Sequence, residues 1–464
     1  MHTSTTSTRA LEPWTAQQLQ QATQGYWYQD RQPTQAIKRI VTDSRHAEAG
    51  DAFLALQGER FDAHHFVPHV AQAGCDIAIV SQALPVDICQ LVVEDTRLAL
   101  AQLGAFRRAQ YPDLKVMALT GSSGKTTVKE MLNSILSPVA ATLVTRGNLN
   151  NDLGVPMMLL ELGPEHRYAV FELGANHQGE IDYTAALVAP QVAGILNIGT
   201  AHLGEFGGRD GICRAKSEIY SHIAAAGVAV IPAEDDYHEQ IQQAAQGHQV
   251  LAFGQQGDVY ASDIELAAQS TRFVLHSPAG EAQINLPFAG LHNVHNAEAA
   301  AAFALAMGIA LEHIVAGLAT AASVQGRLNF IQKNNLLWID DTYNANPNSM
   351  RAAAAVLQQQ AGLKVMVMGD IGELGAEAWQ QHHDLGHALL HYQLDHIVAV
   401  GQFAHAVAAG AASDTVTAYD TQAEAFTALQ RLIETHQPQS MSLLFKGSRS
   451  SHMETLMTEL MEKN

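Results

Sequence analysis

The sequence predicts an α/β protein of three domains, each built on a largely parallel sheet. Three observations predict it. The chain has 464 residues and is 47% apolar, enough for about three cores of ordinary size. Short apolar runs alternate along its length with stretches of helical spacing, the pattern of parallel sheets covered on both faces. The segment VMALTGSSGKTT, residues 116–127, joins an apolar run to a glycine turn, a Lys-Thr pair and a helical repeat.

The elements follow in order. Residues 1–97 contain candidate strands at Ile37–Val41, Ala52–Leu56, Ile77–Val80 and Leu91–Val93, with a helix near Phe66–Ala73. A helix over Thr96–Gln110 leads into residues 98–327, where strands are expected at 116–119, Tyr168–Leu173, Val192–Ile198 and Val228–Ile231. An Ala-rich helix, Ala297 to Met307, closes that segment. Residues 328–464 repeat the alternation as a second, smaller Rossmann-like sheet. Its strands are Leu336–Asp340, Lys364–Met368, Ile397–Val400 and Met441–Phe445. Its helices fall near Ser349–Gln360, Ala376–His391, Gln422–Glu434 and Ser451–Met461.

The formal charge of −20, with no long Lys/Arg run to offset it, argues against nucleic acid as a partner. Cys75, Cys89 and Cys213 are odd in number and lack metal-ligand spacing, which fits inert thiols in a reducing cytoplasm. The N-terminus has no signal-peptide core and no apolar run reaches membrane-spanning length, so no membrane insertion is expected. A monomer is expected.

The segment 116–127 carries the sharpest chemistry. Gly121, Ser122, Ser123 and Gly124 let backbone N–H groups approach phosphate oxygens, and the following helix adds its positive end. Lys125 supplies a point charge, and the Thr126 hydroxyl, followed by Thr127, is a magnesium ligand type. A glycine is usual where Leu119 stands, so a turn that is only structural stays open as an alternative.

Ligands of open parallel sheets sit at the carboxyl ends of strands. Glu172 follows one apolar run and is either a magnesium-holding carboxylate or a solvated or capping one. Gly199-Thr200-Ala201-His202 follow another; His202 is a metal ligand, an acid/base group or a structural loop histidine. Asp340 and Asp341, Gly369 and Asp370, and Lys446 to Arg449 end three more. Asn293 and Asn296, in GLHNVHN, either read an adenine edge or cap the Ala-rich helix. Arg327, in a Gly-Arg-Leu-Asn turn, either clamps a phosphate or forms an interdomain ion pair. His382, His383 and His387 lack the intervening Glu of a zinc-peptidase helix, and packing is the expected role.

Taken together, TGSSGKTT, GLHNVHNAEAA and GRLN resemble the Mur ligases of bacterial cell-wall synthesis, whose shortened phosphate loop lacks the first glycine. FELGANHQGEI, TRGNLNNDLGVP, DDTYNANPNSM, MGDIGELG and FKGSRS are similar to the member of that family that adds D-alanyl-D-alanine. The resemblance implies an ATP-dependent ligase acting through an acyl phosphate on UDP-N-acetylmuramoyl-tripeptide, with D-alanyl-D-alanine as the incoming amine.

It also implies roles. Thr126 and Glu172 would hold one magnesium ion, and His202 with a carbamoylated Lys216 a second. Lys125, His202 and Lys216 would be catalytic, while Gly121–Thr127, Asn293, Asn296, Arg327 and Asp341 would contact ATP. Ser44, Arg45, the Gly50-Asp51-Ala52-Phe53 turn, Asn150 and Asn151 would meet the UDP-muramoyl part, in a UDP-binding domain of residues 1–97. Tyr343, Asn344, Asn346 and Arg449 would orient the dipeptide within 328–464. His64-His65 stands where the family often has Gly-His.

Two sibling ligases compete. The one adding the third peptide residue should carry an Asp-Asn-Pro-Arg type motif, and the chain has Asn344-Ala345-Asn346-Pro347 instead. The folate enzyme would not need a UDP-binding segment ahead of the central sheet. An ATP-binding scaffold would need no cluster of Glu172, His202 and Lys216.

Overall fold

The computed structural model describes residues 12–58, 61–200 and 203–464. The chain divides into two compact units. One contains the described residues up to Val116 with Ala140–Leu173 and Tyr183–Ala189; the other contains Met117–Val139, Gly174–Asp182 and Pro190–Asn464.

In the first unit, β1 (Tyr26–Trp27), β2 (Ile40–Val41), β3 (Ala52–Leu54), β4 (Ile77–Val80) and β5 (Cys89–Val92) form a sheet in the order β1-β5-β4-β3-β2. Only β1 runs antiparallel to its neighbour. Side chains alternate across a strand, so Leu54, Ile77, Ile79 and Leu91 enter one core while Phe53, Ala78, Val80 and Val92 enter the other. The expected Gly50–Phe53 turn is shorter than its sequence suggests. Ala52 and Phe53 are strand residues with no exposed surface, and burying the Phe53 side chain alone is worth about 1.5–3 kcal/mol. The helix Thr96–Ala109 starts at Asp95, whose carboxylate accepts from the backbone of Arg97 and Leu98. The unit also carries β7 (Thr142–Val144) paired parallel to β8 (Tyr168–Glu172).

In the second unit, β6 (Lys115–Thr120, in this unit from Met117), β9 (Val192–Ile195), β10 (Val228–Pro232) and β11 (Gln249–Phe253) form a parallel ladder in the order β11-β10-β9-β6. The helix Lys125–Leu136 buries Val128, Met131, Leu132, Ile135 and Leu136, the residues that its spacing picks out. β9 stops at Ile195, three residues short of the expected run, because Leu196 N bonds Thr120 O and Asn197 turns to the glycine loop. The Ala-rich helix begins at Leu291 rather than Ala297.

An antiparallel sheet, β12 (Tyr260–Leu266), β13 (Thr271–Ser277) and β14 (Gly280–Leu286), was not expected from the sequence. It buries one face through Ala261, Phe273, Leu275, Ile284 and Leu286, and long polar positions between them obscure that alternation.

The last sheet, expected to be the smaller, has six strands. They are β15 (Asn329–Lys333), β16 (Leu336–Asp341), β17 (Leu363–Gly369), β18 (His396–Val400), β19 (Val416–Tyr419) and β20 (Met441–Lys446), in the order β15-β16-β20-β17-β18-β19. β15 is an antiparallel edge on an otherwise parallel sheet. Ile339, Met366, Met368, Ile397 and Leu444 pack on one face and Trp338, Val365, Val367, Leu443 and Phe445 on the other. Among the described residues no helix is long and apolar enough to cross a membrane.

Candidate active site

The glycine loop leaves β6 and enters its helix at Gly124, whose φ of +82° excludes most side chains. A Cβ there would lie 2.3 Å from Asn296 Oδ1, so the loop and the helix Leu291–Ala306 meet through a residue that must lack a side chain. Lys125 Nζ folds back onto Gly121 O at 2.7 Å, which holds the ammonium over the loop. Ser122 N bonds Asn197 O, and Gly199 N bonds Ser122 Oγ.

Thr126 is buried, and its Oγ1 lies 3.0 Å from Arg327 Nη2. Arg327 comes from the turn opened by Gly326 and stacks 4.5 Å from the Tyr343 ring centroid. Its fork reaches the loop threonine 201 residues away, and its charge also acts on Asp341.

Asn293 and Asn296 lie inside the helix, and the capping role expected of them is not what they do. Gly290 opens that helix without a side-chain cap, Asn293 Nδ2 donates backwards to Ala289 O at 2.9 Å, and Asn296 Nδ2 donates to Asn293 Oδ1 at 3.0 Å. His292 beside them has its pKa pushed down to about 4, first by burial and then by the charges of Lys446 and His295.

The strand ends of the last sheet are tied to one another. Lys446 Nζ lies 2.7 Å from Asp341 Oδ2 and donates to Asn344 O at 2.9 Å. Burial raises the Asp341 carboxyl above its ordinary range, against the pull of Lys446 and Arg327. Asp340 accepts from Thr342, and Asp370 accepts from the backbone of Gln402 and Phe403. Asn346 opens the helix Pro347–Gln358 and donates to Ser123 Oγ at 2.8 Å. Arg449 is exposed and paired with Glu454 at 3.0 Å. His382 accepts from Ile371 N and stacks on Phe403, a packing role.

Lys216 sits on the helix Arg209–Ser217 with 2% of its surface exposed. Burial, and then the positive charge of Lys125, hold its amine well below the ordinary lysine range. His202 lies outside the described residues.

In the first unit, Glu172 ends β8 with 3% exposure, and its Oε1 accepts from Asn150 Nδ2 at 2.9 Å. Asn151 Oδ1 accepts from Gly154 N at the start of a helix. Ser44 and Arg45 lie in a short 3-10 turn, where Arg45 pairs with Asp43 two residues away. Asp51 is buried and pairs with Arg39 at 2.9 Å. His64 Nε2 accepts from Ser81 N, so it ties its turn to the end of β4.

Sequence reasoning placed Lys446 at a strand end without its partner Asp341, and missed Asn197 and Asn346's contact with the loop. For Asn197 a signal existed: a polar residue interrupts an apolar run just where the strand should end.

Residues 119–304 match the Mur ligase middle domain, and 326–449 match the Mur ligase, glutamate ligase domain. The UDP-N-acetylmuramoyl-tripeptide–D-alanyl-D-alanine ligase of Escherichia coli (strain K12) is 43% identical over 430 residues, which cover 92% of this chain and 94% of that one. A crystal structure of MurF from Acinetobacter baumannii is 68% identical, with a TM-score of 0.96 over 98% of this chain and 100% of that one. The MurF ligase of Thermotoga maritima, solved in complex with ADP, is 28% identical, with a TM-score of 0.82 over 92% of this chain and 98% of that one.

Proposed function

Because this chain belongs to the Mur ligase family, we propose that it joins D-alanyl-D-alanine to UDP-N-acetylmuramoyl-tripeptide with cleavage of ATP to ADP and phosphate. The product is the UDP-muramoyl-pentapeptide used to build peptidoglycan, which ties the chain to cell-wall growth, cell shape and division. The observation that carries the reading is the loop itself, where Lys125 overhangs Gly121 and the Arg327 guanidinium reaches Thr126. The near-full-length match to ligases of this name supports the substrates.

The γ-phosphoryl group passes from ATP to the tripeptide's terminal carboxylate, breaking the O–P bond to ADP and forming a mixed anhydride. The dipeptide's amine attacks the acyl carbon and gives up a proton. The C–N bond forms, and the C–O bond to phosphate breaks. Phosphoryl transfer asks mostly for positioning and charge stabilisation, which Lys125 and Arg327 offer.

Thr126 and Glu172 offer hard oxygen donors suited to magnesium, and Asn150 holds the Glu172 carboxylate in place. Magnesium, when bound, would neutralise phosphate charge. A second ion is assigned to His202 and a carbamoylated Lys216. Lys216 fits that modification because burial and the charge of Lys125 lower its pKa, which favours the neutral, nucleophilic amine. Asn293, Asn296 and Asp341 complete the ATP side. Ser44, Arg45, Asn150 and Asn151 are assigned to the UDP-muramoyl part, and Tyr343, Asn344 and Arg449 to the dipeptide. The domains are read as 1–97, 98–327 and 328–464, in a cytoplasmic monomer.

Phosphate release tests the reading. It should require both the UDP-tripeptide and D-alanyl-D-alanine; release that ignores either one contradicts a ligase.

A further inference from the structure

Asn346 divides one side-chain amide between two tasks. Its Oδ1 accepts from Ser349 N at 2.8 Å and caps the helix Pro347–Gln358. Its Nδ2 donates to Ser123 Oγ at 2.8 Å and approaches Ser122 O at 3.5 Å, more than 220 residues away in sequence.

Asn197 holds the same serine by its backbone. Asn197 Oδ1 accepts from Ser123 N at 2.9 Å, and Asn197 Nδ2 donates to Ser123 O at 3.1 Å. Ser123 therefore has its amide and carbonyl both engaged, and its hydroxyl oxygen accepts from Asn346. A serine hydroxyl has one proton to give and two lone pairs. With one lone pair committed to Asn346, that proton is turned away from Asn346.

We propose that Asn346 is a positioning residue for the nucleotide rather than a contact for the dipeptide: it sets the Ser123 hydroxyl so that its proton is offered to a phosphate oxygen in the loop. This rests on the reading of the loop as the ATP site. It differs from the role the family resemblance implies for Asn346, and it makes the helix Pro347–Gln358 and the phosphate loop a coupled pair.

The test uses the full chain. Asn346→Ser keeps a good helix cap but is too short to reach Ser123, and Asn346→Asp keeps cap and length but loses the donor. Ser123→Ala and the Ser123→Ala/Asn346→Ser double variant complete a cycle. The readouts are KM for ATP, KM for D-alanyl-D-alanine, thermal midpoint, and the Kd of magnesium-ADP by calorimetry. The expected result for Asn346→Ser is a rise of about tenfold in KM for ATP and in the ADP Kd, the size of one charge-assisted hydrogen bond. The dipeptide KM and the thermal midpoint should hold, Asn346→Asp should lose at least as much affinity, and the double variant should be no weaker than the worse single one. Unchanged ADP affinity in both Asn346 variants, or losses that add in the double variant, would overturn the proposal. ADP affinity is read without turnover, so a wild-type chain that binds ADP and fails to ligate would count against the ligase reading alone.

Discussion

The phosphate loop and the 43–53 segment both present charged residues, and they hold them in opposite ways. Around the loop the partners come from far along the chain: Arg327 reaches Thr126, Asn346 reaches Ser123, and Asn197 grips Ser123 from the end of β9. Most of these groups are buried or half-buried, where an unsatisfied polar group is costly and a fixed one is rigid. In the 43–53 segment Arg45 pairs with Asp43 two residues away on an open surface. Of the charged residues in that segment only Asp51, tied to Arg39, is buried. Distant partners and burial thus mark residues whose geometry the fold spends many contacts to define, whereas a local exposed pair is free to rearrange when a ligand arrives.

That contrast can be broken at several points. Lys125→Ala should reduce turnover by roughly 10³-fold with an unchanged thermal midpoint, since the ammonium acts on phosphate charge and not on packing; a rate near wild type would remove the loop from the chemistry. Lys216→Ala should lower the rate by roughly 10²-fold, with partial rescue by a small added carboxylate. The same residue makes a condition-dependent prediction. Its lowered pKa leaves more free amine at neutral pH than an ordinary lysine has, so carbamate should form there without an alkaline buffer. Activity should fall after dialysis against carbon-dioxide-free buffer and return with bicarbonate; indifference to both treatments would contradict a carbamoylated Lys216.

Arg327→Ala should cost about tenfold in kcat/KM for ATP, and Arg327→Lys less in the same quantity, because lysine keeps the positive charge while losing the planar fork and its stacking on Tyr343. Asn150→Ala frees the Glu172 carboxylate of one hydrogen bond and should cost about fivefold in rate. Arg45→Ala should leave the thermal midpoint where it is, since its pair with Asp43 is exposed, and should touch only the KM of the UDP substrate. If Arg45→Ala unfolds the chain or matches Arg327→Ala on ATP, the contrast between the two regions is wrong.

How legible this was in the sequence depends on whether a residue's role is local. The helix Lys125–Leu136 and the strand Ile77–Val80 were legible because apolar spacing alone dictates them. The antiparallel sheet β12–β14 was not, because only one face is buried and its polar half reads as loop. β9 was over-extended because Leu196 and Ile198 are apolar, yet the backbone there serves the loop instead of a neighbouring strand. The same limit applies to the site. Lys125 and Thr126 announce themselves by spacing, whereas the roles of Asn197 and Asn346 exist only once distant segments fold together. Asn293 was read as a possible cap because it stands before the alanines, while Gly290 begins the helix without it.

The claim on which the rest depends is that the tripeptide's carboxylate becomes an acyl phosphate. Turnover with UDP-tripeptide carrying oxygen-18 in that carboxylate measures it directly: one labelled oxygen should appear in the inorganic phosphate released for each pentapeptide made. Unlabelled phosphate, released while pentapeptide accumulates, would contradict it.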